Sequence, residues 1–206
     1  MGGGARPVRL PPHAPGMRIG LFGGSFDPPH EGHLHASRLA MTRLRLDRLW
    51  WLVTPGNPLK GTREPAPLAT RLAAARRLAR DPRIVVTDIE AHLRFRYTID
   101  LIIYLRRHCP GVRFIWIMGT DNLLNFHRWR RWEKILALVP VVVIDRPGTA
   151  LRAPSAKALR KIPVACMSHR PGVGVAPIRP PAVILLHGPR NSQSSTALRA
   201  TQAPDS

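Results

Sequence analysis

The chain has 206 residues, 44% of them hydrophobic, and a formal net charge of +20. That length suits one ordinary domain with a real core. The longest apolar run, residues 135–144, is far too short to span a bilayer and contains Pro140, and residues 1–16 lack the apolar core of a signal peptide. The basic excess invites a nucleic-acid reading, but only Lys60, Lys134, Lys157 and Lys161 are lysine and the arginines are scattered without a block. With alanine and proline also abundant, this reads as compositional bias that can steer polyphosphates, with no nucleic acid as partner. Cys109 and Cys166 have no CxxC spacing, which points to a reducing compartment and no disulfide framework. A cytoplasmic location is expected, with no membrane partner; a homo-oligomer stays open.

Residues 1–16 are rich in glycine and proline without apolar periodicity and read as a flexible arm; residues 17–206 form the expected domain. Residues 19–22 read as a buried strand ending at Gly23-Gly24. A Ser-Phe-Asp-Pro-Pro turn follows, and a helix over about 31–45 places Leu34, Met41 and Leu44 on one side. Residues 47–54 read as the second strand, 55–67 as a loop, 68–80 as a helix stopped by Asp81-Pro82, and 84–87 as a short strand. A helix is expected over 97–108, its faces marked by Ile99, Ile102, Ile103 and Arg106. A buried strand over 112–118 closes at Gly119. Residues 123–138 predict one or two short helices and 140–144 a fifth strand. Residues 146–181 predict a short helix near 155–161 and loop beyond it. A last strand over 182–187 and a helix over 194–200 complete the chain. This alternation argues for an α/β protein, an open parallel sheet covered on both faces, with ligands at the carboxyl ends of its strands.

The stretch MRIGLFGGSFDPPHEGH, residues 17–33, combines strand, glycine turn and helix start. Glycine lets backbone and ligand approach closely, and free N–H groups at a helix terminus attract anions. His30 and His33, three apart, can face one bound group; they lack the i, i+4 spacing of a zinc-binding His-Glu-x-x-His pair. Near the other end, Ser194-Ser-Thr-Ala-Leu-Arg199 puts hydroxyls in a predicted first helical turn, with an arginine able to fork onto an anion.

Together these stretches resemble the GxFDPxHxGH and ISSTxxR motifs of the HxGH nucleotidyltransferase superfamily, and more narrowly the nicotinate-nucleotide adenylyltransferases of NAD synthesis. Asn57-Pro-Leu-Lys60, Tyr97-Thr98-Ile-Asp100, Gly119-Thr-Asp121 and Phe126-His-Arg-Trp129 are similar to further family segments, so the resemblance runs over residues 18–199. Gln193 stands where the family usually has an apolar residue, and little chain follows Arg199.

The resemblance implies a single-domain, Rossmann-like fold and adenylyl transfer from ATP to nicotinate mononucleotide, releasing pyrophosphate. It implies that His30, His33 and Arg199 act on the phosphates. Gly23, Gly24, Ser25, Phe26, Asn57, Lys60, Thr98, Gly119, Asp121, Trp129, Ser195 and Thr196 would bind substrate, Asp121 near the adenosine ribose and Thr98 near the nicotinate. Mg2+ would travel on ATP, since no carboxylate cluster suggests a protein-built metal cage. Pantetheine-phosphate adenylyltransferases look similar but usually have Thr where His30 stands. Cytidylyltransferases end in a different Ser/Thr-rich motif, and class I aminoacyl-tRNA synthetases carry a Lys-rich second motif not seen here. A basic nucleic-acid-binding α/β protein is the alternative that is not an enzyme.

Overall fold

The computed structural model describes residues 8–56, 65–144, 164–167 (backbone) and 178–186. Its strands are β1 (Arg18–Gly24), β2 (Arg48–Val53), β3 (Ile84–Thr87), β4 (Arg113–Gly119), β5 (Val141–Ile144), β6 (Val164–Met167) and β7 (Val183–Leu186). The helices are α1 (Glu31–Leu44), α2 (Leu68–Leu78), α3 (Ile89–His92), α4 (Thr98–His108), α5 (Thr120–Asn125) and α6 (Trp132–Leu138), with a 3-10 turn at Phe126–Arg128. Among the described residues the strands form one all-parallel sheet in the order β3-β2-β1-β4-β5-β7-β6. The order reverses between β1 and β4, so their carboxyl ends flank the crevice where open α/β sheets take ligands.

The strands are apolar on both faces, as a sheet covered on both sides requires. Ile19 and Leu21 of β1, Trp50 and Leu52 of β2, and Phe114, Trp116 and Met118 of β4 share one core with α4 and α6. The alternate residues Phe22, Leu49, Trp51, Ile115 and Ile117 share the other with α1 and α2. Gly20 has no room for a side chain: a Cβ there would lie 2.5–2.7 Å from Leu49, Ile117 and Leu46.

The first five predicted strands and the helices over 31–45, 68–80 and 97–108 are present, within a residue or two at each end. Several expectations need correction. Residues 8–16, read as part of a free arm, lie against the body: Pro11 is buried, Val8 and Leu10 pack on the first core, and His13 meets the Trp50 ring edge-on. Their few apolar side chains add cover to that core. On α4, Ile103 points outward at 39% exposure, while Leu101 and Leu105 join Ile99 and Ile102 inside. The helical stretch begins at Thr120, and extended backbone at Trp129 and a left-handed Arg131 separate α5 from α6. Strand β6 falls where a loop was expected; pairing with β7 supplies its backbone hydrogen bonds despite the surrounding Pro and Gly. The four-residue helix α3 also went unanticipated. The helices expected near 155–161 and over 194–200 lie outside the described residues. No described helix is long and apolar enough to cross a membrane.

Candidate active site

The turn leaving β1 carries the densest local constraints. His30 is the N-cap of α1: the Gly32 N–H donates to its Nδ1 at 3.1 Å, and the His30 N–H donates to Nδ1 of His33 at 3.2 Å. This is a capping box built from two imidazoles in place of Ser and Glu. Each Nδ1 accepts a hydrogen bond, so the proton of each neutral ring sits on Nε2, a tautomer suited to donate to an anion at the helix terminus. Both rings are buried, 4.0 Å apart between centroids. His33 packs 4.6 Å from Phe26, which in turn stacks on Trp51 at 4.9 Å. The Trp51 indole N–H donates to Ser37 Oγ, and that hydroxyl donates to the His33 carbonyl, fixing the first helical turns.

Phe26 adopts a left-handed backbone (φ 47°) although it is not glycine, a strain of about 1 kcal/mol held by its fully buried ring. Its side chain therefore serves the packing beneath His33; only its backbone remains for substrate.

A cavity of about 310 Å³ opens on the other side of the same turn. Gly23, Gly24 and Ser25 line one wall, Thr54–Gly56 another, and Tyr97, Thr98, Trp116 and Trp129 the apolar and hydroxyl-bearing remainder. A Cβ at Gly23 would lie 2.8 Å from the Trp116 ring. Trp129 meets Trp116 edge-to-face at 6.0 Å and Phe126 at 5.3 Å. The buried Trp116 Nε1 and Thr54 Oγ1 find no hydrogen-bond partner among the described residues. Arg96, Arg128 and Arg130 surround the opening, and the Arg130 guanidinium lies 4.7 Å over the Tyr97 ring.

Glu90 is the only carboxyl lining this cavity among the described residues, and burial raises its pKa from 4.5 to about 7. The proton thus favours the folded state: stability is fully present below the ordinary glutamate pKa and is lost as pH rises toward 7. The loss is on the order of 3 kcal/mol. Glu90→Gln is expected to melt several degrees higher than the parent at pH 8 and at the same temperature near pH 4, as thermal scans at the two pH values will reveal.

Thr98 and Trp129, expected near the second substrate, thus share the cavity with Gly23, Gly24 and Ser25. His30 and His33 stand apart at the start of α1. Gly119, the N-cap of α5, and the exposed Asp121 sit at the carboxyl end of β4, across the crevice and outside the cavity lining. Asn57, Lys60, Ser195, Thr196 and Arg199 lie outside the described residues. Cys109 is buried and its thiol pushed up to about 11, far from nucleophilic use.

Sequence reasoning missed Glu90, Trp116 and Arg71. Arg71 is only 3% exposed and donates to the carbonyls of Ala66, Ser25, Thr54 and Pro55. A signal for it existed: Arg71 precedes Ala75 by one helical turn on the buried stripe of α2, whereas Arg76 and Arg77 fall off it.

Comparison with known proteins identifies the family. A family described as cytidylyltransferase-like matches residues 21–201. A protein of Methylorubrum extorquens (strain PA1), named "Probable nicotinate-nucleotide adenylyltransferase", is 58% identical over 89% of this chain and 99% of its own length. A protein of the same name from Brucella abortus (strain 2308) is 49% identical over 90% of this chain and 96% of its own. In fold, the chain is similar to a Plasmodium falciparum nicotinic acid mononucleotide adenylyltransferase complexed with NaAD. The TM-score is 0.64, with 18% identity over 89% of this chain and 83% of that one. The chain belongs to the nicotinate-nucleotide adenylyltransferases, within the cytidylyltransferase-like family.

Proposed function

We propose that the protein transfers the adenylyl group of ATP to nicotinate mononucleotide, forming nicotinate adenine dinucleotide and pyrophosphate in NAD biosynthesis. One observation carries the reading: Gly23–Ser25 form a wall of the cavity, and the same turn leads into the paired imidazoles at the start of α1. Two subsites on opposite sides of one glycine turn suit two phosphate-bearing substrates that must meet there.

In the reaction, a 5′-phosphate oxygen of the mononucleotide attacks the α-phosphorus of ATP in line. A new P–O bond forms as the bond to the β-phosphate oxygen breaks, and pyrophosphate departs with that electron pair. The attacking oxygen is already anionic, so no general base or covalent nucleophile is needed. Rate enhancement comes from alignment and from donors preorganised toward the phosphates. His30 and His33 would supply Nε2–H groups and the glycine turn would allow close approach. Trp129 offers its ring face to the pyridine, with Thr98 beside it. Asp121 would take the adenosine ribose. Ser195, Thr196 and Arg199 would hold the β,γ end of ATP, and Asn57 and Lys60 the mononucleotide phosphate.

ATP would enter as its Mg2+ complex. The site's imidazoles, amides and guanidinium groups are donors to phosphate rather than oxygen ligands for a hard cation, so the metal would be held by the triphosphate itself. The basic surface gathers such substrates by steering, and the sparse cysteine usage, without CxxC spacing, fits work in the cytoplasm.

Pyrophosphate release with ATP and Mg2+ tests the reading, comparing nicotinate mononucleotide, nicotinamide mononucleotide and phosphopantetheine. Release with the first, well above the second, is expected. Equal rates would remove the nicotinate preference, activity with phosphopantetheine alone would name a different acceptor, and silence with all three would overturn the assignment.

A further inference from the structure

Helix α2 carries three arginines, and Arg71 is the one placed inside the molecule. Of its five N–H donors, Nε meets the Ala66 carbonyl at 2.7 Å, and Nη1 meets those of Ser25 at 2.6 Å and Thr54 at 2.8 Å. Nη2 meets that of Pro55 at 3.3 Å. All four acceptors are backbone carbonyls. Asp27 lies near enough to act on the charge through space, opposing the burial that lowers the guanidinium pKa. A residue needed only to cover the sheet would be apolar here, like its neighbours Leu72 and Ala75. A buried cation is costly unless every donor finds a partner, so a function in arranging those carbonyls is the economical explanation.

Three of the carbonyls, those of Ser25, Thr54 and Pro55, belong to two segments that form walls of the cavity. Strands β1 and β2 run in parallel register up to the pair Gly24–Val53, and the Thr54 N–H still donates to the Gly24 carbonyl at 3.0 Å. One residue further on the ladder ends. From there Nη1 of Arg71 bridges the carbonyls of Ser25 and Thr54. Ser25, Thr54 and Pro55 all line the cavity, so one guanidinium sets the separation of two of its walls.

We propose that Arg71 is a positioning residue for adenylyl transfer: its guanidinium clamps the β1 turn to the exit of β2 and thereby fixes the width of the mononucleotide cavity. This rests on the functional reading above. Lysine retains the charge and much of the volume but not the planar fork, and its three donors cannot satisfy four carbonyls in these directions.

The test is Arg71→Lys, with both KM values and kcat measured, and mononucleotide binding followed separately by quenching of tryptophan fluorescence, which needs no turnover. The variant is expected to fold, to raise KM and Kd for the mononucleotide about tenfold, to lower kcat about tenfold through misalignment, and to change KM for ATP less than threefold. A merely structural role would lower the folded fraction, and so the apparent kcat, with both KM values unmoved. In Arg71→Ala, added methylguanidine is expected to restore part of the activity by filling the vacated carbonyl cage. Should that variant fail to fold, Arg71→Lys decides alone. Mononucleotide KM and Kd within twofold of the parent in Arg71→Lys would overturn the proposal. An inactive parent enzyme would instead refute the functional reading, while the binding measurement would still judge the clamp.

Discussion

His33→Ala is expected to lower kcat/KM for adenylyl transfer by about 10²–10³, the usual cost of removing one preorganised donor from a developing charge. The same change should cost stability. It deletes the acceptor for the His30 N–H and empties a ring position packed against Phe26, Phe22 and Trp51, a loss of about 1–3 kcal/mol. Activity must therefore be measured well below the variant's melting temperature. His33→Gln separates the two effects. Glutamine at the third helical position is an ordinary capping-box partner and should restore much of the stability. Its amide cannot reproduce the aim of an imidazole held from both sides, so most of the activity should stay lost. Near-parent turnover in a folded His33→Ala protein would remove His33 from the catalytic assignment.

The second large effect is expected at Gly23. Its Cβ would fall 2.8–2.9 Å from two atoms of the Trp116 ring, which is rigid and buried at 2% exposure. Either the indole moves into the cavity or β1 shifts against its neighbours. Gly23→Ala should cost about 2 kcal/mol and, by displacing a cavity wall, roughly 10²-fold in activity. Gly24→Ala is the internal comparison: its Cβ meets the Phe26 ring at 3.3 Å, a contact that a small adjustment relieves. Chemical denaturation and steady-state kinetics on the pair should rank Gly23→Ala clearly worse on both counts. Equal, mild effects would mean that close approach at Gly23 does not shape the site.

Much of this molecule can be read along the chain wherever the physics is local. The run 19–22 followed by Gly-Gly, the Leu34–Met41–Leu44 stripe and the β-rich run 112–118 each carry their own period, so the alternation and the covered parallel sheet follow from them. The motif around His30 and His33 was legible for the same reason, because cap, turn and helix start are contiguous. Prediction failed where partners are distant. Strand β6 depends on β7 for its pairing, residues 8–16 depend on a core patch near Trp50, and the break between α5 and α6 depends on packing of Phe126 and Trp129 against the sheet.

The fold class, the turn with its two histidines, and the family segments at Thr98, Asp121 and Trp129 were all readable along the chain. It took the folded chain to reveal that the Phe26 ring is buried against His33, that Thr98 and Trp129 share one cavity with Gly23–Ser25, and that Glu90 and Arg71 are buried around it. A side chain's local pattern states which face of its own helix or strand it occupies. What it meets there, and hence whether a carboxyl gives up its charge or a guanidinium becomes a clamp, is set by segments tens of residues away that converge at the carboxyl edge of the sheet.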